Sequence, residues 1–409
     1  MNILHIIAGD LTGGAARGAY WLHLGLLNCK INSKILTNSK ILNDDDTIIS
    51  INKSKKDRIM NILRAKFDSF PALLYKKRKK IIFSTGLTGT NFKKTKSFKE
   101  ADIIHLHWIC GGFVNIKHLK NINKPIIWTL RDMWPMTGGC HVAMNCNYYE
   151  TGCGKCRQLG SNTYLDLSRW VLYRKNKYLP RNIHVVGISN WISDVARTSK
   201  LFKDSNICTI FNNINTDEFF PIRKTVARVI IDIKTEKKIV LLGAIDINDF
   251  YKGFNKYLEA LSIIDSDKYF LLFFGNFDAN IIKKFKFEYR NFGYIYDAIS
   301  LRLIYNCADV LVAPSLIEPF GKTIAESMAC GTPVVCFDAT GPKDIISHKI
   351  DGYKAEAFNS EDLAKGIEWI VNYSNYDVLC KNAREKIVEN FDKNAIAEKY
   401  IELYKKILV

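Results

Sequence analysis

The chain has 409 residues, 47% of them hydrophobic, which is more than one ordinary core holds and predicts two domains of ~200 residues. No apolar run reaches the ~18 residues of a membrane span, and the start MNILHIIAGD carries neither a basic leader nor a small-residue cleavage site, so a cytoplasmic protein is expected. Net charge is +18, and the eleven cysteines sit mostly singly in apolar segments, as at Cys29, Cys208, Cys307 and Cys336, which fits reduced, buried thiols better than a secreted disulfide frame.

Residues 2–8 form an apolar run that predicts a strand, followed by Gly9-Asp10-Leu11-Thr12-Gly13-Gly14 and an alanine-rich helix from 15 to about 28. A strand, a glycine loop and a helix open nucleotide-type domains, although these glycines do not spell GxGxxG. Arg17, one turn in, reads either as an anion contact or as surface charge. Residues 40–100 are poorly patterned and read as an exposed insertion holding Asp44-Asp45-Asp46 and lysine runs. Within it, Lys76-Lys77-Arg78-Lys79-Lys80 follows Phe67, Phe70, Leu73, Leu74 and Tyr75, a pairing that suits docking on an anionic bilayer. A solvated lysine face and a nucleic-acid contact are the competing readings.

Residues 101–108 and 124–129 are two further strands, whose ends carry His107, Trp108 and Arg131-Asp132 toward one edge of a parallel sheet. Arg131 is read as steadying a phosphate or an acid sugar, with Asp132 orienting it. His105 and His107 read as polar contacts or as satisfied core residues. The spacing Cys140-x5-Cys146-x6-Cys153-x2-Cys156, in a loop over 138–158, is that of a small tetrahedral zinc site, with His141 as a substitute ligand. Free or redox-active thiols are the alternative. With four thiolates, such a zinc would be structural and not the catalyst. A helix over 161–179, a strand over 183–188, a helix over 190–199 capped by Ser189 and a strand at 207–211 complete a first domain, 1–214.

The second domain, 215–390, opens with a strand at 238–242 and reaches Lys252-Gly253 at a helix start, a phosphate-binding arrangement by charge and by free N–H groups. A strand at 268–274 follows. Residues 310–313, 321–329 and 334–337 then read as strand, helix and strand, with Gly331 and Pro333 closing the helix. Glu318-Pro319-Phe320-Gly321 puts one carboxylate in the strand-to-helix loop, and Glu326 puts a second one turn into the helix, so that both face one crevice. Each can accept two hydrogen bonds from vicinal sugar hydroxyls. By itself, Glu326 also reads as a solvated helix residue. A last helix lies over 391–409.

These strings, above all EPFGKTIAESMACGTPVV, resemble glycosyltransferase family four, the retaining enzymes of the GT-B architecture. The resemblance covers most of the chain. It implies an α/β fold of two Rossmann-like doubly wound domains facing across an interdomain cleft, with the last helix crossing back to the first. It implies donor-sugar contact for Glu318, ribose contact for Glu326, backbone contact for Phe320, Gly321 and Lys322, and diphosphate contact for Lys252 with Gly253. Gly13 and Gly14 match the family's first glycine loop. The chain departs from the family where many members have Thr-x-His, since Thr129-Leu130-Arg131 stands there and arginine cannot be a general base.

HWICGGF and TLRDMWPMTGGCH look like the members that build bacterial surface polysaccharides such as O-antigen or capsule. The expected enzyme moves a hexose from a nucleoside diphosphate sugar to a lipid-linked saccharide, peripheral at the inner membrane face, with no catalytic cofactor and no nucleic-acid partner. A sugar-nucleotide epimerase or hydrolase of the same architecture is the near rival. A zinc-containing nucleic-acid-binding protein is the distant one.

Overall fold

The computed structural model describes residues 1–39, 45–52, 54–276, 279–282 and 285–408; Asp44 of the acidic triplet lies outside them. The chain divides into two units, Met1–Phe211 with Ile396–Val409, and Asn212–Ala395.

In the first unit, β1 (Asn2–Ile6), β2 (Asn32–Thr37), β3 (Ile48–Ser50), β4 (Ile103–Leu106), β5 (Ile126–Leu130), β6 (His184–Gly187) and β7 (Asn206–Thr209) form one sheet in the order β3-β2-β1-β4-β5-β6-β7. In the second, β8 (Lys238–Asp246), β9 (Tyr269–Asn276), β10 (Glu288–Asn291), β11 (Val310–Ala313), β12 (Val334–Phe337) and β13 (Tyr353–Ala355) run β10-β9-β8-β11-β12-β13. Every strand pairing is parallel. Both orders are those of a doubly wound, Rossmann-like sheet, whose order reverses at a switch point, here β1/β4 and β8/β11. Central strands β4, β5, β11 and β12 are buried along their whole length, because helices cover both faces and leave no polar side.

The helix Lys393–Leu408 packs Ile396, Ala397, Tyr400 and Tyr404 against Ile3, Ile103, Ile127 and Val186 of the first sheet. That contact has a polar centre. His105 Nδ1 meets the Tyr404 hydroxyl at 2.7 Å, His105 Nε2 meets Thr129 Oγ1 at 2.7 Å, and Thr129 Oγ1 meets the Tyr400 hydroxyl at 2.8 Å. His5 Nδ1 lies 2.9 Å from His107 Nε2, and His23 bonds Ser33 and Thr47. Burial holds His5, His105 and His107 well below the usual imidazole range, helped by Arg131, and lowers His23 to about 4 against an opposing pull from Asp45.

Acid stability follows from that. A histidine kept neutral in the fold takes up its proton only on unfolding, so its contribution is complete above the unfolded value near 6.5 and is lost as pH falls toward 4. For His23 alone the shift is worth about 3 kcal/mol. Urea midpoints should therefore fall steeply between neutral pH and pH ~4.5, and His23→Gln should flatten the profile. An unchanged profile in that variant would remove His23 from the effect and leave it to His5, His105 and His107.

The segment 40–100 is better ordered than its patterning predicts. It contains β3 and the 19-residue helix Lys55–Leu73, whose Ser54 and Asp57 form a capping box. The helix is inside out. Its inner side is largely polar apart from buried Ala72: Asp68, 2% exposed, accepts from the Thr85 and Leu87 N–H groups, and Arg64 donates to Thr90 Oγ1 at 2.7 Å. Gly112 (φ +70°) seats there because a Cβ would lie 2.5 Å from Ala65 N. Its outer side carries Ile59, Met60, Ile62, Leu63, Phe67 and Phe70, all exposed.

Candidate functional site

In the second unit, the loops leaving β8 and β11 meet at the switch point. Gly253 (φ +70°) packs so closely that a Cβ would stand 1.8 Å from Pro314 O, and the Leu316 N–H donates to Tyr251 O at 2.8 Å. This lock brings Lys252 Nζ to 2.6 Å from Glu318 Oε2. Behind the acid, Thr340 adopts φ +50°, ψ −149°, unusual for a β-branched residue, and its Oγ1 accepts the Glu318 N–H at 3.3 Å. The Gly341 N–H donates to Glu318 O, and a Cβ on Gly341 would stand 2.3 Å from Pro319 O. Glu318 is therefore fixed from both sides.

Gly321 (φ +107°) then starts the helix Lys322–Ala329, which has no side-chain cap on its first N–H groups. Uncapped amides at a helix start attract anionic oxygens. Glu326 is buried at 2% exposure, with Oε1 3.1 Å from Lys322 Nζ and Oε2 accepting the Tyr305 hydroxyl at 2.9 Å. It is not the solvated helix residue that its spacing also allowed. Phe320 offers only its backbone, since its ring is buried against Phe391 at 5.8 Å. Two lysine–glutamate pairs thus flank one uncapped helix start. Tyr305 and Thr340 complete the arrangement from elsewhere in the chain, and the sequence motif gave no sign of either.

In the first unit, Gly13 and Gly14 end the loop after β1. Neither has a positive φ, and a Cβ on either would meet nothing within 4 Å. Conformation and internal space both allow a larger residue, so nothing inside the fold requires glycine there.

In the bend that follows β5, Arg131 and Asp132 take different partners. Arg131 is 8% exposed and lies 3.5 Å from His107 Nδ1, on the side of the buried histidines. Asp132, expected to orient Arg131, instead accepts from Trp108 Nε1 at 2.8 Å, from the Trp134 N–H at 2.9 Å and from His141 Nδ1 at 2.6 Å. His141 Nε2 meets buried Ser84 Oγ at 2.9 Å, so both its nitrogens are engaged and the substitute-ligand reading of His141 is corrected.

Cys140, Cys146, Cys153 and Cys156 are free thiols lining one pocket with Phe83 and Tyr149. Among the described residues, the trio of His, Cys, Asp or Glu ligand atoms mutually within 4.8 Å is His5, His105 and His107. His105 has both nitrogens engaged in the bonds above, His5 keeps its Nε2 without a partner, and Arg131 beside the trio disfavours a cation. No described helix is long and apolar enough to cross a membrane.

Residues 224–395, which hold the two-pair site, match the family model described as glycosyl transferases group 1. An N-acetylgalactosaminyltransferase of Campylobacter jejuni acting on N,N'-diacetylbacillosaminyl-diphospho-undecaprenol is 29% identical over 215 residues, 50% of this chain and 56% of that protein. The chain thus spans little more than half of that relative's length. Among solved structures, a glycosyltransferase from Rickettsia africae superposes with TM-score 0.66 at 21% identity, over 100% of this chain and 98% of that one. An Anabaena protein, HepE, in complex with UDP-glucose gives 0.63 at 15% identity, over 99% and 100%. These likenesses carry the two-domain GT-B fold, and the segment 224–395, seated on the β8–β13 sheet, is the part of the chain that matches the group 1 glycosyl transferases.

Proposed function

We propose that this protein transfers a hexose, with its anomeric configuration retained, from a nucleoside diphosphate sugar to a lipid-linked saccharide in bacterial surface polysaccharide synthesis. The observation that carries the reading is the double pairing Lys252–Glu318 and Lys322–Glu326 around the uncapped start at Gly321. Each lysine is a phosphate ligand held ready by a carboxylate. A diphosphate drawing Lys252 and Lys322 to itself frees Glu318 for the hexose hydroxyls and Glu326 for the ribose.

In the transfer, the bond from the anomeric carbon to the phosphate oxygen breaks and the bond to the acceptor oxygen forms. The acceptor proton passes to the leaving phosphate. The protein's share is positioning and charge stabilisation, which asks for no general base at position 131 and no catalytic metal. The Campylobacter relative acts on a diphospho-undecaprenol substrate, and HepE was solved with UDP-glucose; both support a nucleotide sugar and a lipid-linked acceptor.

The acceptor class also explains the inside-out helix. Its apolar outer side, beside exposed Lys76, Lys77, Lys79 and Lys80, suits the cytoplasmic surface of an anionic membrane, where lipid-linked sugars are presented.

A thermal-shift panel of nucleoside diphosphate sugars tests the donor. A ligand at 100 times its Kd adds about 2.7 kcal/mol to the stability of the folded state, and one member should raise the melting temperature accordingly. Lys252→Met should cancel that shift without lowering the melting temperature of the free protein by more than a degree or so. A shift that survives the substitution removes Lys252 from the diphosphate.

A further inference from the structure

We propose that Cys140, Cys146, Cys153 and Cys156 bind one zinc ion that fastens the loop after β5 to the base of the inside-out helix. The four sulfurs line one pocket, and Cys140 and Cys156 pack with Phe83, Leu159 and Tyr75 at the end of that helix. The inference does not depend on which sugar the protein transfers.

Hydrogen-bond donors already aim at the sulfurs. The Gly138 N–H points to Cys153 and the N–H groups of Gln158 and Leu159 to Cys156, while the Thr137 hydroxyl donates to the Cys140 carbonyl. Donors directed at sulfur suit thiolates, as around bound metals, better than they suit neutral thiols. The chain also turns tightly around the last pair, with Gly152, Cys153, Gly154 and Lys155 all at positive φ.

Charge supplies the second observation. Lys175 is fully buried, donates to the carbonyls of Trp134 and Thr137, and lies over the Trp134 ring at 3.6 Å. Among the described residues it has no carboxylate within 4.0 Å. An ammonium so placed is costly without a counter-charge. The ionisable groups that act on it are the Cys110, Cys140 and Cys153 thiols and Asp132. Zinc binding would remove four protons from sulfur and form four Zn–S bonds, leaving a centre of net charge −2 within reach of the lysine. The sulfurs surround the pocket and do not yet meet at one point, so the ion must draw the loop in. Four thiolates leave zinc no open position, and its role is to hold the fold.

The test is metal analysis of the full chain produced in zinc-supplemented medium, followed by exchange into cobalt(II). One zinc per chain, thiols protected from an aromatic disulfide reagent until a mercurial releases the metal, and the visible spectrum of tetrahedral cobalt thiolate are expected. Cys153→Ser/Cys156→Ser should lose all three signals. Should that variant fail to fold, Lys175→Met supplies the second readout, with zinc affinity expected to fall about 10–100-fold. Natively folded wild-type protein that remains metal-free with four reactive thiols, or an octahedral cobalt spectrum, overturns the site. Unchanged zinc affinity in Lys175→Met overturns its charge assignment.

Discussion

Glu318→Gln is expected to lower kcat by about 10²–10³-fold, the range for removing one group that stabilises charge in a transition state. Folding should barely change. The Lys252–Glu318 pair is 2.6 Å long but its side chains are 25% and 21% exposed, a setting in which ion pairs contribute about 0–1 kcal/mol. The backbone bonds from Thr340 and Gly341 remain in place and keep the loop in position. Glu326→Gln should behave differently, because this carboxylate is buried between Lys322 and the Tyr305 hydroxyl. Losing its charge leaves a partly satisfied buried group, a cost of about 1–3 kcal/mol, in addition to weaker donor binding. The two variants thus separate chemistry from binding and stability. Full turnover in Glu318→Gln would remove that residue from the reacting centre, and a product of inverted anomeric configuration would remove the retaining assignment.

The two-pair site of the second unit was legible because its signals are local. The residues 318–326 sit in one loop and one helix turn, and Gly331 with Pro333 fixes where that helix stops. Tyr305 escaped notice because it reaches Glu326 from a different helix, and a hydrogen bond across 21 positions leaves no trace in spacing. The different partners of Arg131 and Asp132 were not legible, because both lie in the bend after β5, where strand alternation does not hold. The burial of Lys175 was not legible either, because it depends on Trp134 and Thr137, some forty positions away, coming to meet it.

The helix Lys55–Leu73 shows a deeper limit. Its apolar positions recur with helical spacing, but periodicity gives the existence of an apolar stripe and not which side faces the core. Here Asp68 and Arg64 take the inside because backbone N–H groups and Thr90 receive them there. The lysine run beside it contributes the signal that was readable.

Replacing Phe67 and Phe70 by serine is expected to release the protein from anionic vesicles, lowering its partition coefficient by about 10²-fold or more. Burying each such side chain contributes roughly 1.5–3 kcal/mol, so the pair accounts for at least two decades. The rings are 62% and 54% exposed, so their loss removes little packing and the melting temperature should hold or rise. Neutralising Lys76, Lys77, Lys79 and Lys80 to glutamine should weaken binding by about 1 kcal/mol per lysine at low ionic strength and much less at high salt, because that attraction fades within a Debye length. The aromatic variant should bind weakly at every salt concentration. Co-sedimentation with vesicles of phosphatidylglycerol and phosphatidylcholine, against phosphatidylcholine alone, distinguishes the two contributions. If the wild-type chain ignores anionic vesicles at low salt, or if the face instead pairs two copies in solution, the membrane assignment fails while the donor site stands untouched.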